Sequence, residues 1–199
     1  MEKNPETRRV LNSPPVKTLV LSGILVALVV ITHSVIVPFE HTVLGDPFDQ
    51  GVLFYLPFGF WVIVAYFERW HAALYLAPGF ALGMVLYAGS GAPITARVLT
   101  LGVLTLTAPA VFAILAWASG RANHPVSEPS AWRLIVTAGL FTAMVNAIGL
   151  NLVRNSVVPD SASLTGVIQY FAGSIVGMFT CLIGLAIAFR IRKSVLNLR

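Results

Sequence analysis

GVLFYLPFGFWVIVAYFERWHAALYLAPGFALGMVLYAGS, residues 51–90, decides how the chain must be read. Two apolar runs, 51–67 and 71–90, are separated only by Glu68, Arg69 and Trp70. A bilayer core of about 30 Å takes roughly 20 residues of helix, and both runs approach that length. Three residues leave room only for a tight turn, so the two runs form an antiparallel hairpin packed side by side. Working outward, four more runs of the same kind appear at 16–37, 98–118, 132–153 and 166–189. The expected fold is therefore all-α: a polytopic integral membrane protein whose six-helix bundle has both termini inside. Residues 1–15 form a polar N-terminal tail, 16–190 the membrane domain and 191–199 a basic tail.

Composition agrees with that reading. The 199 residues are 57% hydrophobic and only 11% charged, against about 25% charged in soluble domains. The net charge of +5 does not point to nucleic acid, because the cations are sorted by side. With the N-terminus inside, Lys3, Arg8, Arg9, Lys17, Arg69, Arg121, Arg133, Arg190, Arg192, Lys193 and Arg199 face the cytoplasm, and only Arg97 and Arg154 lie outside. Eleven against two is the positive-inside pattern. These charges orient the chain in the lipid bilayer and touch anionic headgroups. Trp70, Trp117 and Trp132 fit an inner interfacial belt, whereas Trp61 lies deeper. The localisation expected is the inner membrane of a bacterium.

The first run is too long for a secretory signal and lacks a small-residue cleavage site, so it is read as a retained helix. It is expected to end at Val37-Pro38, leaving Glu40, Asp46 and Asp49 in an outer loop. No Asp or Glu then falls inside a predicted span, which weighs against an ion-coupled pump. Cys181 is the single cysteine and His33 a lone membrane histidine, so no metal site and no cofactor are expected. No acid–base pair, activated nucleophile or phosphate-cradling loop is present to start a reaction, and an enzyme is not expected.

The polar residues left inside the spans carry the functional reading. Asn146 lies near the middle of helix five, where a buried amide must find a partner. It acts either as glue between helices or as a ligand contact. Pro57 and Gly59 in helix two, like Pro78 and Gly79 in helix three, distort their helices and free backbone groups. A ligand pocket is expected from Tyr55, Pro57, Gly59, Trp61, Asn146, Tyr170 and Ser174. Asn146 and Ser174 would supply hydrogen bonds, the aromatics walls, and the proline–glycine element a bend. Gly173 and Gly177, four apart in helix six, are expected to pack a helix closely, from this chain, a second copy or a partner protein.

Phe54-Tyr55-Leu56-Pro57-Phe58-Gly59-Phe60, the Glu68–Trp70 turn, residues 77–81, Asn146 and residues 170–177, in this order, resemble a bacterial family. It is the first, MASE-type, membrane-associated sensor domain, found ahead of histidine kinases and cyclic-dinucleotide enzymes, and the resemblance runs over about 16–190. Ser174 stands where the family usually has an aspartate, and Leu56 where a tryptophan often precedes the proline. The resemblance implies a sensor module that binds a small ligand and passes a change in packing to an output. No kinase or cyclase follows within these residues, so a separate partner protein is expected to carry that output. Two other readings of the residues are a substrate-capture subunit of a transporter and a non-catalytic accessory subunit of a membrane complex.

Overall fold

The computed structural model describes residues 13–44, 52–87, 93–119, 131–157 and 163–197, and among them every regular element is helical. The expected N-terminal tail up to residue 12, the inner loop 120–130 and the end of the C-terminal tail lie outside the described residues.

The helices are α1 (Pro14–Ile31), α2 (Val37–Leu44), α3 (Leu56–Glu68), α4 (His71–Tyr87), α5 (Ile94–Ala118), α6 (Ala131–Val157) and α7 (Leu164–Asn197). A single π-helical turn, Thr32–Ile36, joins α1 to α2 without a break. Four segments are long and apolar enough to cross a membrane: Pro14–Val43, Ile94–Ala118, Trp132–Val157 and Leu164–Ile191. Two apolar helices are shorter, α3 with 13 residues and α4 with 17. The chain is thus a helical protein built to live in a membrane.

The first helix runs on past the expected stop at Pro38. Proline lacks an N–H and crowds the carbonyl four residues back, which ordinarily ends or kinks a helix. Here the preceding turn is widened: the Val37 N–H reaches back five residues to the Thr32 carbonyl. The wider turn takes up Pro38, and α2 carries Glu40 onward as a helical, buried residue instead of a loop residue. The second run is shorter than expected. Helix α3 begins at Leu56, because Pro57 fits the first turn of a helix and not its interior, and 52–55 is non-helical.

Directions follow from contacts at the two ends. Lys17 at the start of α1 pairs with Glu68 at the end of α3 at 2.7 Å. Glu40, at the far end, meets Leu53 and Phe54 just before α3 begins. Helices α1 and α3 are therefore antiparallel. Helix α4 runs with α1, since Ser22 meets Tyr75 and Gly79, Val29 faces Gly83, and His33 stacks on Tyr87. Helix α5 descends again: Val103 lies beside Gly149 and Phe112 against Tyr66. Helices α6 and α7 are antiparallel to each other through Gly139 with Met178 and Asn151 with Ser163. With α1 and α2 taken as one continuous helix, successive helices alternate in direction.

The short α3 is the core. It touches α1, α4, α5, α6 and α7, which form an arc around it. Phe58, Trp61, Val62 and Ala65 are essentially fully buried. Trp61 sits edge-on between Phe58 and Phe80, each 5.6 Å away. By contrast Trp70, Trp117 and Trp132 are exposed, and all three lie at the Lys17 end.

Pro78 interrupts α4, and α1 repairs the damage. The Gly79 N–H, which would normally bond the Tyr75 carbonyl, donates to Ser22 Oγ at 3.0 Å. Ser22 Oγ in turn donates to the Tyr75 carbonyl at 2.7 Å, so a hydroxyl of one helix is spliced into the ladder of another. A Cβ at Gly79 would stand 3.0 Å from both Leu25 Cδ2 and the Ser22 carbonyl, so only glycine allows this approach without a shift.

Ser22→Ala should leave a buried N–H and a buried carbonyl unpaired and cost about 1–3 kcal/mol. Thermal unfolding in mild detergent should show a clear drop in midpoint. Ser34→Ala, which removes only an exposed contact of 3.2 Å to the Tyr87 hydroxyl, should change stability by no more than about 0.5 kcal/mol.

Candidate functional site

Residues 52–55 are a non-helical strap inside a helical bundle. Irregular backbone at membrane depth persists only where protein or water satisfies its polar groups. Here every N–H from Leu53 to Phe58 has an acceptor. Glu40 receives two, from Leu53 at Oε2 (3.0 Å) and from Phe54 at Oε1 (2.9 Å). The Tyr55 N–H donates to the Gly173 carbonyl, Leu56 to Phe54, and Phe58 to Tyr55, while Pro57 has no N–H. Helix α3 thus begins with no free donor, and its N-terminus offers no anion site.

Gly59, Gly173 and Gly177 make one seam with this strap. A Cβ at Gly173 would land on the Val52 carbonyl oxygen and one at Gly177 on the Tyr55 carbonyl oxygen. A Cβ at Gly59 would stand 2.5 Å from Cys181 Cβ and 2.9 Å from Met178 Cα. The expected close packing at Gly173 and Gly177 is therefore made within this chain, against strap and α3, and that face is covered.

The other residues expected to line a pocket divide into two groups. Pro57 and Trp61 are core residues of α3, and Trp61 turns toward α4 through Phe80. Asn146 and Ser174 come together by register. On α6 the buried pairs Ala138–Gly139, Thr142–Ala143 and Asn146–Ala147 alternate with exposed Leu140–Phe141 and Met144–Val145, a helical stripe. Gly139 on that stripe faces Met178 of α7 and Val62 of α3. Asn146, seven residues on, occupies nearly the same face two turns nearer the Glu40 end. Ser174 is one turn before Met178 on α7, and with α6 and α7 antiparallel and Met178 against Gly139 that register sets it at the level of Thr142 and Ala143. Tyr170 is one turn further, toward the end of α7 where the Tyr55 N–H of the strap meets the Gly173 carbonyl.

The site is therefore a polar row in the α6–α7 seam, closed at one side by the strap. It comprises Thr142, Asn146 and Ser174, with Tyr170 and Tyr55 at its edge. Asn146 Oδ1 and Thr142 Oγ1 are buried without a hydrogen-bond partner. Trp61 Nε1 is likewise unpartnered, on the α4 side of α3. Among the described residues no group of His, Cys, Asp or Glu is arranged to hold a metal ion.

Three contributors escaped the sequence reading. Glu40 was assigned to a loop, Ser22 is an inconspicuous hydroxyl, and Thr142 resembles any helical threonine. The spacing of Thr142 and Asn146, one turn apart, is the signal that could have paired them. No protein-family model, curated protein or solved structure matches this chain.

Glu40→Ala should remove the acceptor of two buried N–H groups and destabilise by about 2–5 kcal/mol, with faster amide exchange at Leu53 and Phe54. Glu40→Gln retains one acceptor oxygen and should fall between. Gly173→Ala and Gly177→Ala should be as damaging as Glu40→Ala. Gly184→Ala, where a Cβ meets nothing within 4 Å, should be neutral or mildly stabilising through helix propensity.

Proposed function

We propose that this chain is a sensor-like module of a bacterial inner membrane that binds a small ligand inside its helix bundle and signals through a separate partner protein. In this reading all six apolar helices cross the bilayer, with the Lys17 end and both termini in the cytoplasm. The alternating helix directions support the even count. Helix α3 with its strap supports the second crossing: 13 residues of helix give about 20 Å, and the four non-helical residues before them lengthen the segment toward a bilayer core.

One observation carries the binding reading: Asn146 Oδ1 and Thr142 Oγ1 lie buried and unpaired in the same seam. An unmet polar group in an apolar interior costs about 1–3 kcal/mol. A bundle selected for packing alone would fill these positions with apolar residues. Signalling then requires the ligand to favour one arrangement of α6, α7 and strap over another. Helix α7 is the natural conductor, since it touches both strap and site and runs on to Asn197, at the end that carries Arg190.

The non-helical strap favours a second reading, a substrate-capture subunit, because interrupted helices frequently frame transport sites. A capture subunit should bring down an energising ATPase, whereas a sensor should bring down a regulatory output protein.

Asn146→Leu separates ligand contact from helix glue. If Asn146 serves a ligand, the variant should unfold at an equal or higher temperature than the parent and should lose the small molecule that native mass spectrometry detects in the parent. A lower unfolding temperature with an unchanged small-molecule content would mark Asn146 as glue and refute the reading. Reporter fusions after residue 199 should report a cytoplasmic end; an external one would overturn the six-crossing topology.

A further inference from the structure

Resting on the ligand-binding reading of the α6–α7 row, we infer that the ligand taken there is uncharged at the row and presents a hydrogen-bond donor, such as a hydroxyl or an amide N–H, to Asn146 Oδ1.

The threonines supply the first argument. Thr18, Thr42, Thr105, Thr107 and Thr180 each donate to the carbonyl four residues earlier in their own helix, at 2.6–2.9 Å. That back-bond satisfies a helical threonine locally, although fully buried Thr32 does without it. Thr142, fully buried, does not make it, and its hydroxyl is left unmated one turn from the equally unmated Asn146 oxygen. Two adjacent side chains on one face thus hold polar atoms in reserve. An amide oxygen can only accept, and a hydroxyl can do either, so the partner they call for must donate.

Charge supplies the second. A buried ion needs a counter-ion or full hydrogen bonding. The acidic and basic side chains that reach into the bundle lie away from the row, Arg97 with its buried Nε in the first turn of α5. Glu40 has both oxygens on the strap, and Lys17 and Glu68 pair with each other at the opposite end. His33 is stacked on Tyr87 in the α1–α4 seam. The nearest cation on α6 toward the Glu40 end is Arg154, eight residues and about 12 Å along the helix from Asn146. The seam itself is lined by Gly139, Ala143, Ala147, Ser174 and Met178, none of which can balance a charge. An ammonium or carboxylate placed there would go uncompensated.

The test uses the full chain in mild detergent at neutral pH and three photoactivatable diazirine alkyl probes of equal length, ending in hydroxyl, carboxylate or ammonium. After irradiation, labelled peptides are mapped by mass spectrometry. The hydroxyl probe should label peptides containing Thr142, Asn146 or Ser174 about tenfold more than either charged probe, the ratio expected for about 1.4 kcal/mol. Excess nonyl alcohol should abolish this labelling and nonane should not. Asn146→Leu and Thr142→Val, both retaining the parent unfolding temperature, should each reduce it several-fold. Equal labelling by a charged probe, or equal competition by nonane, overturns the inference while leaving a ligand site in place. Absence of any saturable labelling at this seam by all three probes overturns the binding reading itself.

Discussion

The carboxylate of Glu40 lies against the amides of Leu53 and Phe54, and most of the architecture is conditional on that contact. A non-helical segment among apolar helices exposes N–H groups that lipid cannot satisfy, at a cost of several kcal/mol each. Glu40 satisfies two at once, and a charged acceptor makes the stronger kind of hydrogen bond. For that carboxylate to reach the strap, α1 must continue as helix beyond Pro38, and the widened turn at Thr32–Ile36 allows it. The strap must also lie flat against α7, and only glycine at 173 and 177 leaves room for its carbonyls. Removing any of these features leaves the start of α3 without support. Because α3 is the helix around which α1, α4, α5, α6 and α7 gather, the bundle depends on that support.

Helix association in lipid gains little from burying apolar surface, because the alternative solvent is equally apolar. Close backbone approach takes its place, and the bundle repeats one device at several seams. Gly59 meets α7, Gly79 meets α1, Gly139 meets Met178 and Gly149 meets Val103. The α1–α4 seam adds a polar element, since Ser22 completes the ladder that Pro78 breaks. A proline that would weaken an isolated helix therefore fixes the register between two. The same seam positions His33 over Tyr87 with ring centroids 4.4 Å apart.

Much of this was legible from residue order. Apolar run lengths identified the helices, the three-residue turn at Glu68–Trp70 identified the central hairpin, and the glycine spacing of helix six identified a close-packing face. What failed to show has a common cause. Hydropathy treats Pro38 and Glu40 as the end of an apolar run, whereas a π-turn and a paired carboxylate allow the helix to continue through both. Likewise residues 52–55 read as a helical turn by composition, yet Pro57 starts the helix later and the strap is held by partners distant in sequence. Asn146 and Ser174 were recognisable as polar residues in apolar surroundings. Their shared seam was not, because it depends on the register between α6 and α7, which the packing of Gly139 on Met178 determines. Trp61 was grouped with them by chemistry alone, and its ring turns instead toward Phe80.

Strap and polar row are coupled by geometry. Gly173 and Ser174 are adjacent on α7: one bears on the Val52 carbonyl, the other lies by register at the level of Thr142. Any rotation of α7 that brings Ser174 closer to a ligand therefore moves Gly173 against the strap, where there is no slack. Packed interfaces of this kind switch between discrete arrangements more readily than they deform. A ligand that pairs Asn146 and Thr142 would remove an unmet cost of about 1–3 kcal/mol per group, comparable to the 1–3 kcal/mol of typical allosteric couplings. In the proposed reading, a preference of about 1–3 kcal/mol for one arrangement would shift a poised two-state bundle by about 5- to 150-fold in population. Helix α7 would carry the shift along its length to the end where Arg190 lies.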